Sequence, residues 1–420
     1  MIRRPPRSTL SSSSAASDVY KRQISNMVGI EGPYISASKM PTLQPICAKV
    51  TAILDVTVDF PTPPFPDEIA IIFSIPGMGF PLIELICFLT GTTFILILIL
   101  AFSVNYSQVE FQQNGSPHFK IFWNYHNDFT KDVTKKSEFE LKRVYLGYKH
   151  NFSKNISAKV TYDIGSNSGG SAYTAYVKIA QLDWDLNPKL KLSMGLIGNK
   201  QFNDQESLWG YRYTYKGFLN EFKFGPSADL GFNSEFTVSP KFKINLFVLN
   251  GEGYKSLQDD NGHQKMGSSF IYNFSNKLTG KIYLDSHRTK NTKSIKNHSI
   301  FLGYNNNDIR LGVEYGKIKN GRTYKDADDG HNRDGYSVFA IKSLKNNFEI
   351  YSRYDSISSN ILTGQTSPWN NNNDGSLLIF GTQYQAVKGV KFNLNYRLFN
   401  YDNKIINNKS AIYLNAEFKI

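Results

Sequence analysis

Cysteine is almost missing from this chain: of 420 residues two are cysteine, Cys47 and Cys87, and none lies downstream of Ala101. That excludes a zinc–thiolate centre, a disulfide scaffold and a cysteine nucleophile from the greater part of the sequence. Histidine is scarce, at seven residues. Long apolar runs are limited to residues 81–104, and a mean hydropathy of −0.36 is too polar for a bundle of membrane helices. Long basic runs are missing too, despite a net charge of +13. The first 103 residues carry seven charges of each sign, so the whole excess belongs to residues 104–420. Without a basic run or a basic helical stripe this charge does not describe a nucleic-acid surface, and no nucleic-acid partner is expected.

What is abundant is aromatic residues, 25 Tyr and 30 Phe, and alternation. Val390, Phe392, Leu394, Tyr396 and Leu398 alternate with Lys391, Asn393, Asn395 and Arg397, which is the period of a strand with one apolar and one polar face. The last residues repeat the pattern, with Ile412, Leu414, Ala416, Phe418 and Ile420 set against Tyr413, Asn415, Glu417 and Lys419. A chain ending on an amphipathic strand has a raw edge, and pairing it with the first strand of a barrel removes that edge. With the apolar face towards lipid and the polar face towards water, such a barrel spans a membrane, and its aromatics form girdles at the two interfaces.

From Val104 onward seven short turns, the first at 153–155 and the last at 388–389, alternate with eight longer polar loops, the first at 130–137 and the last at 401–409. The expected fold is therefore all-β: a sixteen-stranded antiparallel transmembrane β-barrel over residues 104–420, with short periplasmic turns and long extracellular loops. Residues 1–23 resemble a translated sequencing adapter, and Phe60-Pro-Thr-Pro-Pro-Phe-Pro blocks helix and central strand alike. Residues 1–80 are accordingly expected to be an artefactual or disordered extension. Residues 81–103 read as a secretory signal with its apolar region at 94–100 and a small-x-small site at Ala101-Phe102-Ser103, so that the mature chain begins near Val104. No Lys or Arg lies between Val50 and Ala101 to form the usual basic start of such a signal, as a misassigned start codon would leave it.

The alternation also assigns the lumen. The polar faces of the cleanest strands carry Lys159, Lys191, Lys243, Lys281, Arg310, Arg353, Lys391 and Arg397 against Asp163, Asp285, Glu314, Glu349 and Asp355. A basic excess on a wet wall predicts a modest preference for anions, while opposite charges adjacent on a sheet predict pairing, with Arg353 and Asp355 the clearest case. The longest loop, 199–223, holds five aromatics between Trp209 and Phe218. Such a loop either folds into the lumen, making Lys200, Trp209, Arg212 and Lys216 the constriction, or forms an interfacial girdle strand.

Other chemistries are poorly supplied. Asp326-Ala-Asp328-Asp329-Gly330 lacks the spacing and terminal Glu of a calcium loop and reads as a solvated loop. Ser299 and His298 are strand neighbours that point to opposite faces, and no third group completes a triad. No enzymatic activity, metal or cofactor is expected.

Several short runs, in order along residues 104–420, are similar to the phosphate-selective porin O and P family: Trp209-Gly-Tyr-Arg-Tyr, Ser227-Ala-Asp-Leu-Gly, Asn250-Gly-Glu-Gly-Tyr, Gly335-Tyr-Ser-Val, Ser352-Arg-Tyr-Asp, Ser367-Pro-Trp and Val387-Lys-Gly-Val-Lys. The resemblance implies an outer-membrane porin of a Gram-negative bacterium, commonly a homotrimer in outer-membrane lipid, whose third extracellular loop enters the pore. The departure is in the loop, where Lys200, Arg212, Lys216 and Lys223 face Asp204, Glu206 and Glu221 instead of a dense basic ladder. The expected function is passive diffusion of small hydrophilic solutes with a modest anion preference, phosphate among the fitting anions. The alternative is a non-conducting structural or adhesive barrel.

Overall fold

The computed structural model describes residues 113–134, 136–165, 172–289 and 292–420. The expectations for residues 1–103, the extension, the signal segment and its cleavage site, lie outside the described residues.

Sixteen strands make up the wall. The first eight are β1 (Asn114–Asp128), β2 (Ser137–Asn151), β3 (Ile156–Gly165), β4 (Thr174–Asn187), β5 (Leu190–Gly198), β6 (Ala228–Ser239), β7 (Phe242–Leu249) and β8 (Lys265–Asn273). They are followed by β9 (Leu278–His287), β10 (Ile295–Asn305), β11 (Ile309–Lys319), β12 (Arg333–Ser343), β13 (Phe348–Ser359), β14 (Gly375–Val387), β15 (Val390–Tyr401) and β16 (Lys409–Lys419). Each pairs antiparallel with the next, and β16 closes on β1, with Lys419 opposite Lys120 and Ala411 opposite Asp128. The edge left by the last strand is removed as its alternation required. Connections are short at one end of the barrel and long at the other. Among the described residues no helix is long and apolar enough to cross a membrane.

The two faces follow the period of two. In β11, Leu311, Val313 and Tyr315 point outward while Gly312, Glu314 and Gly316 are covered on the inside. Ile282, Ile300, Val338, Phe380, Leu394 and Leu414 continue this exposed apolar band around the wall. Aromatic pairs mark its two margins: Phe242 with Tyr272 and Phe348 with Tyr384 near the short turns, Trp123 and Tyr125 with Phe139 near the long loops. A continuous apolar band is the reverse of a water-soluble barrel, whose greasy side is inside.

Five register shifts break the ladder; three lie beside short turns, between Asp185 and Asn187, Thr237 and Ser239, and Gln385 and Val387, and two lie within the wall. β2 carries one extra residue at Lys142, between Leu141 and Arg143, and β4 carries one at Lys178. A bulge inserts a residue and re-aims its neighbours. Glu138 and Glu140 above the first bulge therefore share the inner face with Arg143 and Tyr145 below it, although their numbers differ in parity.

Candidate pore and its constriction

The connection between β5 and β6 holds two short helices, α1 (Asn203–Trp209) and α2 (Phe218–Glu221). α1 stops at Gly210, which takes a left-handed φ of 72° and returns its N–H to Glu206 O at 3.0 Å, a conformation glycine adopts without strain. Beyond it the chain alternates again: Tyr211 and Tyr213 are buried while Arg212 between them is not. Trp209, Tyr211 and Tyr213 pack into the inner wall against Phe122, Phe301, Phe339, Tyr351 and Ile379. The Tyr211 hydroxyl donates to Glu349 (2.5 Å) and the Tyr213 hydroxyl to Gln383 (2.8 Å). A second cluster joins Phe202, Phe218, Leu219 and Phe224 to Ile295, Ile318 and Ile357. The aromatic loop thus folds into the lumen and is not a girdle strand.

The wall is cut to receive it. Gly316 lies directly opposite Gly335 on the inner face. A Cβ at Gly316 would fall 2.5 Å from Leu219 Cδ2, and one at Gly335 would fall 2.9 Å from the Phe218 ring, well inside van der Waals contact. Gly316→Phe should therefore lift α2 off the wall and raise single-channel conductance. Conductance equal to that of the unmutated protein would show that the loop tolerates the insertion.

All eight cations assigned to the lumen lie on the inner face, but five face a carboxylate. Lys191 meets Asp183 (3.7 Å), Lys243 meets Glu235 (3.2 Å), Lys281 meets Asp204 on α1 (2.5 Å), Arg310 meets Glu349 (2.9 Å) and Arg353 meets Asp355 (2.6 Å). Lys159, Lys391 and Arg397 have no carboxylate partner within ion-pair distance among the described residues; Arg397 stands 3.5 Å over the Tyr413 ring. Three assignments are corrected. Arg353 is 2% and Lys281 3% exposed, covered by the inward loop, so neither meets the water of the lumen. Trp209, assigned to the constriction, is 1% exposed and anchors the loop to the wall. Of the remaining loop residues, Lys200 pairs with Glu235, Arg212 with Glu206 and Lys216 with Glu221, at 3.2–3.4 Å. Burial alone would raise the Glu221 carboxyl, but Lys216 and Arg212 hold it below the usual carboxylate range.

A cluster that the alternation does not reveal stands where the loop tip meets β2–β4. Asp163, buried on β3, accepts from Arg143 (2.8 Å) and from the Tyr254 hydroxyl (2.6 Å), with Lys178 at 3.9 Å. The Tyr145 hydroxyl lies 3.4 Å from both Lys178 and Arg212. Tyr254 belongs to a second inward loop, after β7, and brings the exposed Lys255 with it over the Tyr176 ring. Gly251 and Gly253, at φ of 118° and 80°, let that loop turn in. The Asn250-Gly-Glu-Gly-Tyr254 run is the one trace of this in the sequence. Four cations, Arg143, Lys178, Arg212 and Lys255, thus gather around two acids, Asp163 and Glu206.

At the long-loop end a recess of about 750 Å³ is lined by Tyr215, Lys223, Arg322, Arg333, Arg397 and Tyr413, among others. The acidic loop is consumed locally: Asp328 meets Arg322 (2.8 Å) and His331 (3.1 Å), and Asp329 accepts from the Lys293 backbone. Ser299 is buried on the inner face, with His298 on the other.

No family model matches the chain, and no curated protein matches it. Its fold is similar to that of solved outer-membrane proteins. The outer-membrane channel DcaP of Acinetobacter baumannii matches with a TM-score of 0.57 at 9% identity, over 76% of this chain and 100% of that one. The anion-selective porin from Comamonas acidovorans matches at 0.52 and 11%, over 74% and 100%. OmpT of Vibrio cholerae, in its trimer form, matches at 0.52 and 12%, over 73% and 99%. The fold is a porin-like sixteen-stranded barrel. The likeness is one of fold and does not single out the phosphate-selective O and P family.

Proposed function

We propose that the barrel is an outer-membrane diffusion channel of a Gram-negative bacterium that passes small hydrophilic solutes and favours anions. The apolar outer band with its two aromatic margins suits a bilayer, and the inward loop narrows the lumen. The observation that carries the anion preference is the grouping of Arg143, Lys178, Arg212 and Lys255 around Asp163 and Glu206 at the loop tip. Wall charge of one sign raises the local concentration of the opposite ion. The other cations form no ladder, because most of them are neutralised by a partner, so the preference is general for small anions, phosphate included, and not specific to one. A homotrimer, the form named for the Vibrio cholerae protein, belongs to the same reading.

Reversal potentials across a planar bilayer in a salt gradient test this. The expected sign is that of anion selectivity. Cation selectivity would overturn the charge assignment, and a folded barrel without conductance would establish the structural alternative.

A further inference from the structure

We infer that the inner wall at the long-loop end carries a site for a divalent transition-metal ion, held by His126, Glu138 and Glu140. The inference does not depend on conduction. The register of β1 and β2 sets His126 directly opposite Glu138 and one inward position from Glu140. One ring nitrogen and one oxygen of each carboxylate lie within 4.8 Å of one another. His126 Nε2 is 4.0 Å from Glu138 Oε1 and Nδ1 is 3.8 Å from Glu140 Oε2. Both distances are too long for a hydrogen bond. An ion takes one ring nitrogen: the 3.8 Å from Nδ1 to Glu140 Oε2 lies within the roughly 4.2 Å that two donors at about 2.1 Å span across one ion, and Glu138, whose Oε1 now lies nearer Nε2, joins them by side-chain rotation.

His126 is 9% exposed, and its Nδ1 is buried with no hydrogen-bond partner. A polar atom left so is costly, and an ion between imidazole and carboxylate would satisfy it. The ring is held in place by stacking on Tyr413, centroid to centroid 5.1 Å. The two glutamates are the half-buried members, so rotation about their side chains closes the cage, and water supplies the remaining position. One imidazole with two carboxylates neutralises a divalent charge and selects zinc, nickel or copper over calcium and magnesium, which prefer oxygen alone. Lys142, whose half-exposed ammonium lies 3.4 Å from Glu140 Oε2, competes for that carboxylate and can swing into water.

The test is Zn²⁺ titration by calorimetry of the full chain, folded in detergent, against His126→Ala and against Glu138→Gln with Glu140→Gln. Retained heat-modifiable gel mobility shows that each variant is folded, and His126→Asn replaces the alanine variant if that one is not. Because Cys47, Cys87 and the other histidines stay in every variant, the expected result is one Zn²⁺ equivalent present in the unmutated protein and at least about tenfold weaker in each variant. An excess of Mg²⁺ should not displace it. Identical isotherms would overturn the site, as would displacement by Mg²⁺, and neither outcome bears on conductance.

Discussion

Arg353→Ala is expected to release the inward loop and give a larger, flickering channel. Arg353 forms a two-toothed bridge to Asp355, Nε at 2.8 Å and a terminal nitrogen at 2.6 Å, and its remaining nitrogen donates to the Lys216 carbonyl at 2.7 Å. Its guanidinium also faces the Trp209 and Tyr215 rings at 5.1 and 5.6 Å. One side chain therefore ties the backbone and the aromatics of the loop to β13. Deleting it leaves Asp355, which is fully buried, as an uncompensated charge, a loss of about 3–5 kcal/mol for a buried pair broken on one side. The strands carry their own ladder, so this loss falls on the loop. Single-channel recordings should show higher conductance with frequent substates, and trypsin should cut at Lys216 or Lys223 in the variant before it cuts the unmutated protein. Arg353→Ala with Asp355→Ala removes the stranded charge and should recover part of the loop order. Unchanged conductance and unchanged cleavage would mean that Tyr211, Tyr213 and the Gly316–Gly335 seat hold the loop without Arg353.

The barrel was legible because a wall with lipid on one side and water on the other writes its geometry at every second residue. The strands 390–398 and 412–420 and the alternating turn lengths carry it, and the closure of β16 on β1 follows from the need to remove an edge. The pairing of Arg353 with Asp355 was legible for the same reason, since two residues apart on a strand means one face. What the sequence did not reveal depends on events that break the period or cross the lumen. Lys178 is itself a bulged residue, and Lys142 shifts the parity of β2 so that Arg143 falls out of step with Glu140. The approach of Tyr254 to Asp163 spans 91 positions of sequence and depends on a loop turning inward, which no local pattern expresses. Five aromatic rings in one loop called for burial but left lumen and girdle strand equally open, and did not tell which side chains stay accessible: Trp209 became an anchor while Arg212 stays partly exposed.

The consequence for selectivity is that charge near the loop tip should outweigh charge on the rest of the wall. Lys178→Ala with Lys255→Ala is expected to abolish most of the anion preference, and Lys391→Ala to change it little. Lys178 shares the Tyr145 hydroxyl with Arg212 of the loop, 3.4 Å on each side, so an ion passing between loop and wall there is within the Debye length of about 8 Å at physiological salt. Lys391 sits beside the short turns, away from the cations gathered around Asp163 and Glu206. Removing Lys178 leaves Asp163 with Arg143 at 2.8 Å and Tyr254 at 2.6 Å, so the wall stays intact while two positive charges are lost from the narrow part. Arg212→Ala with Lys216→Ala should act in the same direction, because it strips the partners from Glu206 and Glu221 and leaves two negative charges in the path. Reversal potentials at low salt read these differences directly. Near 1 M salt, where the Debye length is about 3 Å, the variants should converge on the unmutated protein. Equal shifts from Lys391→Ala and from the double variant would place the selective point away from the loop tip, and differences that persist undiminished at high salt would mean that ions bind to the lysines instead of sensing their field.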